Sequence, residues 1–213
     1  MVQIIPAVLA TTEEQYQTNI TKLALCEGLV EGWVHIDFAD NKFVQNQTIG
    51  PEIVEKSLDN FNKEAHLMVS NPLDWIDKLI EADFKRVIMH VEAEKIDESL
   101  EYGKDRGLEV GLAIKNETSV EKLEPFIPKI GTILIMSIVP GFQGQLFLPD
   151  ALKKVEEVKK KGWDVRVGVD GSVKDDNIKD IVNAGADFVI VGSYLLKGDI
   201  DENLENLWEK ING

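Results

Sequence analysis

Short apolar runs alternate along this chain with longer stretches whose apolar residues recur every three or four positions. The first run, residues 3–8, is followed by Thr11-x-x-Glu14, the pattern of a capping box, and by Tyr16, Ile20, Leu23 and Ala24 at helical spacing. The same alternation predicts strands at 32–37, 64–68, 86–90, 109–114, 132–137, 164–169 and 188–191. A helix is expected after each. One opens at Pro51 and carries Ile53, Val54 and Leu58. One follows Asn71-Pro72 with Trp75, Ile76, Leu79 and Ile80. Others fall at 95–102, 120–126, 150–161 and 175–184, and a last helix carries Leu204, Leu207, Trp208 and Ile211. Val87-Ile88-Met89 and Phe188-Val189-Ile190-Val191 are apolar on both faces, as in a parallel sheet covered by helices. Eight strand–helix units in 213 residues predict one α/β domain over 1–213, a (β/α)8 TIM barrel. A doubly wound sheet is the alternative, but it rarely needs eight units this short.

In a barrel of this kind chemistry belongs at the C-terminal ends of the strands. Trp33-Val34-His35-Ile36-Asp37 alternates, so His35 and Asp37 share a face about 7 Å apart. His66 lies in the third strand and His90 ends the fourth. Asp170 follows the seventh. Each alone has a plain reading: a histidine near a strand end is usually just hydrogen-bonded, and Asp170-Gly171-Ser172 is a common turn. Together, His35, Asp37, His66 and Asp170 come from three strands whose ends converge. Two imidazoles and two carboxylates suit zinc, manganese, iron or cobalt, and the sequence does not choose among them. Three glycine-bearing segments surround the same mouth: Gly141-Phe142-Gln143-Gly144, Gly171-Ser172 and Gly192-Ser193. Their backbone N–H groups can approach an anion, and phosphate sites in such barrels often follow the seventh and eighth strands.

The charge, −15, argues against a nucleic acid or an anionic membrane as partner. It leaves room for a small anionic substrate, because a local cluster of N–H groups holds phosphate whatever the net charge. Cys26 is the lone cysteine, which excludes an intrachain disulfide and fits a reducing compartment. The first residues lack the pattern of a signal peptide, and no stretch is long and apolar enough to span a bilayer. A soluble, cytoplasmic protein is expected.

His35-Ile36-Asp37-x-x-Asp40-x-x-Phe43-Val44 and Asn46-x-Thr48-Ile49-Gly50 resemble the signature of the ribulose-phosphate 3-epimerase family. So do His66-Leu67-Met68-Val69 with Asn71-Pro72, His90-Val91-Glu92-Ala93, and Met136-Ser137-x-x-Pro140-Gly141-Phe142. Val169-Asp170-Gly171, Ala184-Gly185-Ala186-Asp187 and Gly192-Ser193 continue the match through almost the whole chain. The resemblance implies inversion at C3 of D-ribulose 5-phosphate to D-xylulose 5-phosphate. It implies one divalent metal, zinc favoured, on His35, Asp37, His66 and Asp170. Asp37 and Asp170 would be the acid/base pair. Substrate contacts would come from His66 and from Gly141, Phe142, Gln143, Gly144, Gly171, Ser172, Gly192 and Ser193, and a homo-oligomer, dimer or higher, is expected. Several positions depart from the family's pattern. Ala7 stands where a substrate-touching serine is usual, Ala39 where a methionine packs, and Gln143 and Ser172 where glycines are usual. These departures keep D-allulose 6-phosphate epimerisation, or a non-catalytic binding paralogue, as alternatives.

Overall fold

The computed structural model describes residues 2–29, 32–54, 60–142 and 144–213. Eight parallel strands close into a barrel in chain order. They are β1 (Gln3–Val8), β2 (Trp33–Ala39), β3 (Asn62–Met68), β4 (Phe84–His90), β5 (Glu109–Ile114), β6 (Thr132–Met136), β7 (Arg166–Asp170) and β8 (Phe188–Val191). β8 pairs with β1, Ile190 beside Ile5, and so closes the ring. Around it lie α1 (Glu13–Ala24), α2 (Pro51–Val54), α3 (Ile76–Glu81), α4 (Ile96–Asp105), α5 (Asp150–Lys161), α6 (Ile178–Asn183), α7 (Ser193–Leu196) and α8 (Ile200–Asn212). This is the (β/α)8 barrel that the alternating pattern predicts.

The strand period divides the core in two. Val34, Ile36 and Phe38 of β2, Ala65 and Leu67 of β3, and Val87 and Met89 of β4 face outward and pack beneath the helices. Ile5, Ile88, Leu134, Phe188 and Ile190 fill the barrel's interior. Gly168 is part of that inner packing: a Cβ there would stand 2.2 Å from the Phe188 ring. The residues between the outward ones, including His35, Asp37, Glu64, His66 and His90, are thereby turned inward.

Several elements differ from the sequence expectation for identifiable reasons. The first helix is capped one residue later than Thr11-x-x-Glu14 suggests. The Thr12 hydroxyl accepts from Gln15 N–H, and Gln15 Oε1 accepts from Thr11 N–H. The expected 120–126 helix is a 3-10 segment, Val120–Lys129. Pro125 and Pro128 lack the N–H groups that α-helical bonding needs. The 175–184 helix shortens to α6 because the Asn177 side chain first closes a turn on Lys174 N–H. β2 runs on to Ala39 rather than stopping at Asp37, β7 reaches Asp170, and α7 was not foreseen. Leu58, expected on the helix opened by Pro51, lies outside the described residues.

Candidate active site

β2 and β3 run in register with Asp37 beside His66 and His35 beside Glu64. Because β2 turns His35 and Asp37 inward and β3 does the same with His66, three of the four predicted residues meet at the mouth. Asp170, the last residue of β7, completes the group from across the barrel. One potential ligand atom from each of the four lies within 4.8 Å of all the others. His35 Nε2 stands 3.4 Å from Asp37 Oδ1 and 4.0 Å from Asp170 Oδ2. His66 Nδ1 is 2.8 Å and 3.6 Å from the same two atoms.

The electrostatics of this cluster favour positive charge at its centre. Burial would raise the Asp37 carboxyl and lower the His35 imidazole. The hydrogen bonds and charge between Asp37 and its histidines, with Glu64 behind His35, overcome burial at both. Asp37 is held well below the usual carboxylate range and His35 well above the usual imidazole value. Asp170 goes the other way: burial first, then the neighbouring Asp37 charge, push it up to about 6. Behind His35, fully buried Glu64 accepts from Nδ1 at 2.7 Å and from Arg86 at 2.8 Å. Glu64 thus keeps a proton on His35 Nδ1, and Nε2, the nitrogen turned toward the carboxylates, is the one a cation would take by displacing its proton. That buried Nε2 has no hydrogen-bond partner. A buried ring nitrogen without a hydrogen-bond partner, facing two carboxylates and a second imidazole, belongs to the donor set of a divalent metal, so these residues fit one.

Above the cluster opens a pocket. Asp37 and Asp170 line its floor with Ala7, Met68 and Met136. The glycine-bearing segments form its wall: Gly141, Phe142 and Gly144 from one loop, Gly171 and Ser172 from the second, Gly192 and Ser193 from the third. Gln143 lies outside the described residues. Gly171 is required by its geometry. Its φ is +120°, and a Cβ would meet Ile138 Cγ1 at 2.5 Å. The Ser137 hydroxyl, within donor reach of the carbonyls of Asp170 and Gly171 at 2.9 and 2.6 Å, ties β6 to this turn. The loop after β2 reaches over the mouth, where Asn46 Nδ2 donates to Gly141 O at 2.6 Å.

Every described residue of the predicted site thus comes to one mouth, with His35 and His66 fully buried under it. Ala39 is buried too, but it is not among the residues that line the pocket. Sequence reasoning gave no role to Glu64, Arg86, His90 or Glu92, which form the layer behind the histidines. A signal was present for two of them: Glu64 and Arg86 are charges at inward positions of apolar strands.

The closed eight-stranded barrel with paired imidazoles and carboxylates at the C-terminal strand ends is the architecture of a (β/α)8 enzyme. Its fold is shared with 3-keto-L-gulonate-6-phosphate decarboxylase from Vibrio cholerae, with TM-score 0.72 at 12% identity over 100% of this chain and 97% of that one. A sequence model of the Ribulose-phosphate 3 epimerase family matches residues 3–196. The chain is 41% identical to the ribulose-phosphate 3-epimerase of Escherichia coli (strain K12), covering 76% of each. It is 36% identical to that of Chlamydia muridarum, covering 78% of this chain and 77% of the relative. The chain belongs to the ribulose-phosphate 3-epimerase family.

Proposed function

We propose that this protein is a metal-dependent epimerase that inverts C3 of a ketose phosphate, interconverting D-ribulose 5-phosphate and D-xylulose 5-phosphate. One observation carries the reading: His35, Asp37, His66 and Asp170 converge within 4.8 Å directly beneath a pocket walled by three glycine-bearing segments. The relatives' printed names give the substrate class.

Inversion requires a proton to leave one face of C3 and another to arrive on the opposite face. Asp37 on β2 and Asp170 on β7 reach the pocket from strands that β1 and β8 separate. Their environments differ in the way an acid and a base require. Asp37, held ionised by His35 and His66, accepts a proton. Asp170, pushed up to about 6, is the readier of the two to take up a proton and give it. In the reverse direction the two exchange tasks. His35, Asp37, His66 and Asp170 would hold one divalent metal ion, zinc favoured. When bound, it supplies Lewis-acid stabilisation of the negative charge that develops on the substrate oxygens. Backbone N–H groups of the glycine-bearing segments bind the phosphate and so hold C3 over the carboxylates. The loops 40–50 and 138–148, joined through Asn46 and Gly141, exclude water from the bound sugar.

The lone, buried Cys26 supports action in a reducing, cytoplasmic setting. Ala7 lines the pocket floor at the position where the family's serine touches substrate. Testing a hexulose phosphate beside the pentulose is therefore part of the experiment. Protein stripped with a chelator is refilled with zinc, iron, manganese or cobalt in turn. Conversion of D-ribulose 5-phosphate is then followed by a coupled assay, with D-allulose 6-phosphate in parallel. Metal-dependent turnover of the pentulose is expected. Turnover of neither sugar with any metal would overturn the proposal.

A further inference from the structure

Behind His66 lies a second buried imidazole that the reaction does not use. His90, at the end of β4 and fully buried, places Nε2 3.0 Å from His66 Nε2. Its Nδ1 faces Glu92 Oε2 at 3.2 Å. The other oxygen of Glu92 accepts from Lys115 N–H at 3.0 Å. The Phe43 ring packs on His90 at a centroid distance of 4.9 Å.

Proton counting fixes the direction of this chain. Two imidazole nitrogens 3.0 Å apart need one proton between them. A neutral imidazole has one N–H. One oxygen of Glu92 takes the Lys115 N–H and the other faces His90 Nδ1, so the carboxylate is used as an acceptor on both sides. A carboxylate only accepts. The His90 proton therefore sits on Nδ1, and its Nε2 is a bare acceptor. His66 must supply the shared proton from its own Nε2. That leaves the buried His66 Nδ1, 2.8 Å from Asp37 Oδ1, as the nitrogen a cation would take.

We infer that Glu92 and His90 are a positioning pair that fixes His66 in the tautomer whose Nδ1 is free to bind metal. The inference rests on the metal-site reading and extends it one layer back. It also gives the two ligand histidines opposite tautomers. His35, with Glu64 on its Nδ1, offers Nε2, while His66, with His90 on its Nε2, offers Nδ1. Without the relay, the cheaper arrangement for His66 is a proton on Nδ1 donated to Asp37. That proton would occupy the position the cation needs. The relay removes this competitor.

The test uses zinc alone, a silent diamagnetic probe, and two readouts that turnover does not enter. First, two-bond 1H–15N spectra of the zinc-loaded chain report which ring nitrogens carry protons. His90 protonated at Nδ1 and bare at Nε2 is expected, and His90 carrying its proton on Nε2 would overturn the inference. Second, zinc affinity is measured by chelator competition for the parent, His90→Leu, His90→Gln and Glu92→Gln. Outer partners of metal-binding histidines are typically worth about 10–100-fold in affinity. His90→Leu should lose about that much. His90→Gln keeps an acceptor oxygen near the Nε2 position, so it should recover most of the loss. Glu92→Gln should lose less than His90→Leu. Folded His90→Leu and Glu92→Gln proteins that bind zinc as tightly as the parent would overturn the inference while leaving the metal site intact. Should His90→Leu fail to fold, Glu92→Gln and the parent spectrum decide. A parent chain that binds no zinc would overturn the metal-site reading and this inference with it.

Discussion

Asp170→Asn should make the metal-free protein more stable while destroying its activity. The reason is that Asp170 sits among groups that do not want its charge. Burial and the Asp37 carboxylate raise it from 3.8 to about 6. Between those values the folded chain binds more protons at Asp170 than the unfolded chain does, so stability falls as pH rises through that window. Above about pH 6 the full penalty is present, roughly two pKa units at about 1.4 kcal/mol each. The Asp170 side chain is 15% exposed, and solvent trims the figure, leaving about 2–3 kcal/mol. For a chain of this length that corresponds to roughly 5–10 °C in melting temperature. The assay is thermal unfolding in excess chelator from pH 4 to pH 8, parent beside Asp170→Asn. The variant should melt higher at pH 8, with the gap narrowing toward pH 4, where Asp170 is protonated in the folded chain and partly so in the unfolded one. With saturating zinc the order should reverse, because binding stabilises the parent by mass action and the variant has lost a ligand. A metal-free variant that melts at or below the parent at pH 8 would refute the account of Asp170 as a buried like charge.

Three further changes probe the rest of the mouth. Asp37→Asn removes the ionised base and should lower kcat by about 10²–10⁴-fold with substrate still bound; near-normal turnover would rule out the two-carboxylate scheme. Gly171→Ala forces a side chain onto Ile138 at a φ of +120° and should cost about 1–3 kcal/mol in stability and raise KM for the sugar phosphate, readable in a chemical melt and a Michaelis curve. Ala7→Ser adds a hydroxyl to the pocket floor and should raise kcat/KM for the pentulose roughly 2–10-fold, the worth of one hydrogen bond; an unchanged ratio of pentulose to hexulose rates would show that Ala7 does not set substrate choice.

How much of this was legible in the sequence follows from the kind of signal each part leaves. The barrel was legible because eight short strand–helix units, some with strands apolar on both faces, leave few other architectures. His35 and Asp37 were legible as a pair because a strand's period is two, and Asp170 because it follows an apolar run. Boundaries were less so: Ala39 belongs to β2 only because it pairs with Met68, a partner far along the chain. The 3-10 segment from Val120 reads as a helix by apolar spacing, and only its prolines speak against that. The layer behind the ligands was hardest. Glu92 and His90 are neighbours in sequence, but the meeting of His90 with His66 depends on β3 and β4 lying side by side with His66 next to Ile88, two residues before His90. A contact across strands leaves no mark in either strand's own pattern.

The interior of this barrel is apolar on one side and charged on the other, and the charged side is continuous. Asp37 meets His35, His35 meets Glu64, Glu64 meets Arg86, and Arg86 meets Glu109 through Nε and an NH2 group at 2.9 Å. Arg86 also lies 4.0 Å over the Trp33 ring. Glu64 and Arg86 are essentially without solvent, whereas Glu109 is 62% exposed. A buried carboxylate is tolerable only with its full set of donors, so Glu64 depends on Arg86. The tautomer of His35 depends in turn on Glu64 staying charged. The metal-facing lone pair at the mouth is thus anchored through three side chains to the far end of the barrel. His66 is anchored separately, through His90 and Glu92 at the mouth itself. Two independent anchors for two ligands explain why this interior gives up so much apolar packing along β2, β3 and β4. Each imidazole must present one particular nitrogen, and a purely apolar wall could orient the rings but could not choose between their nitrogens.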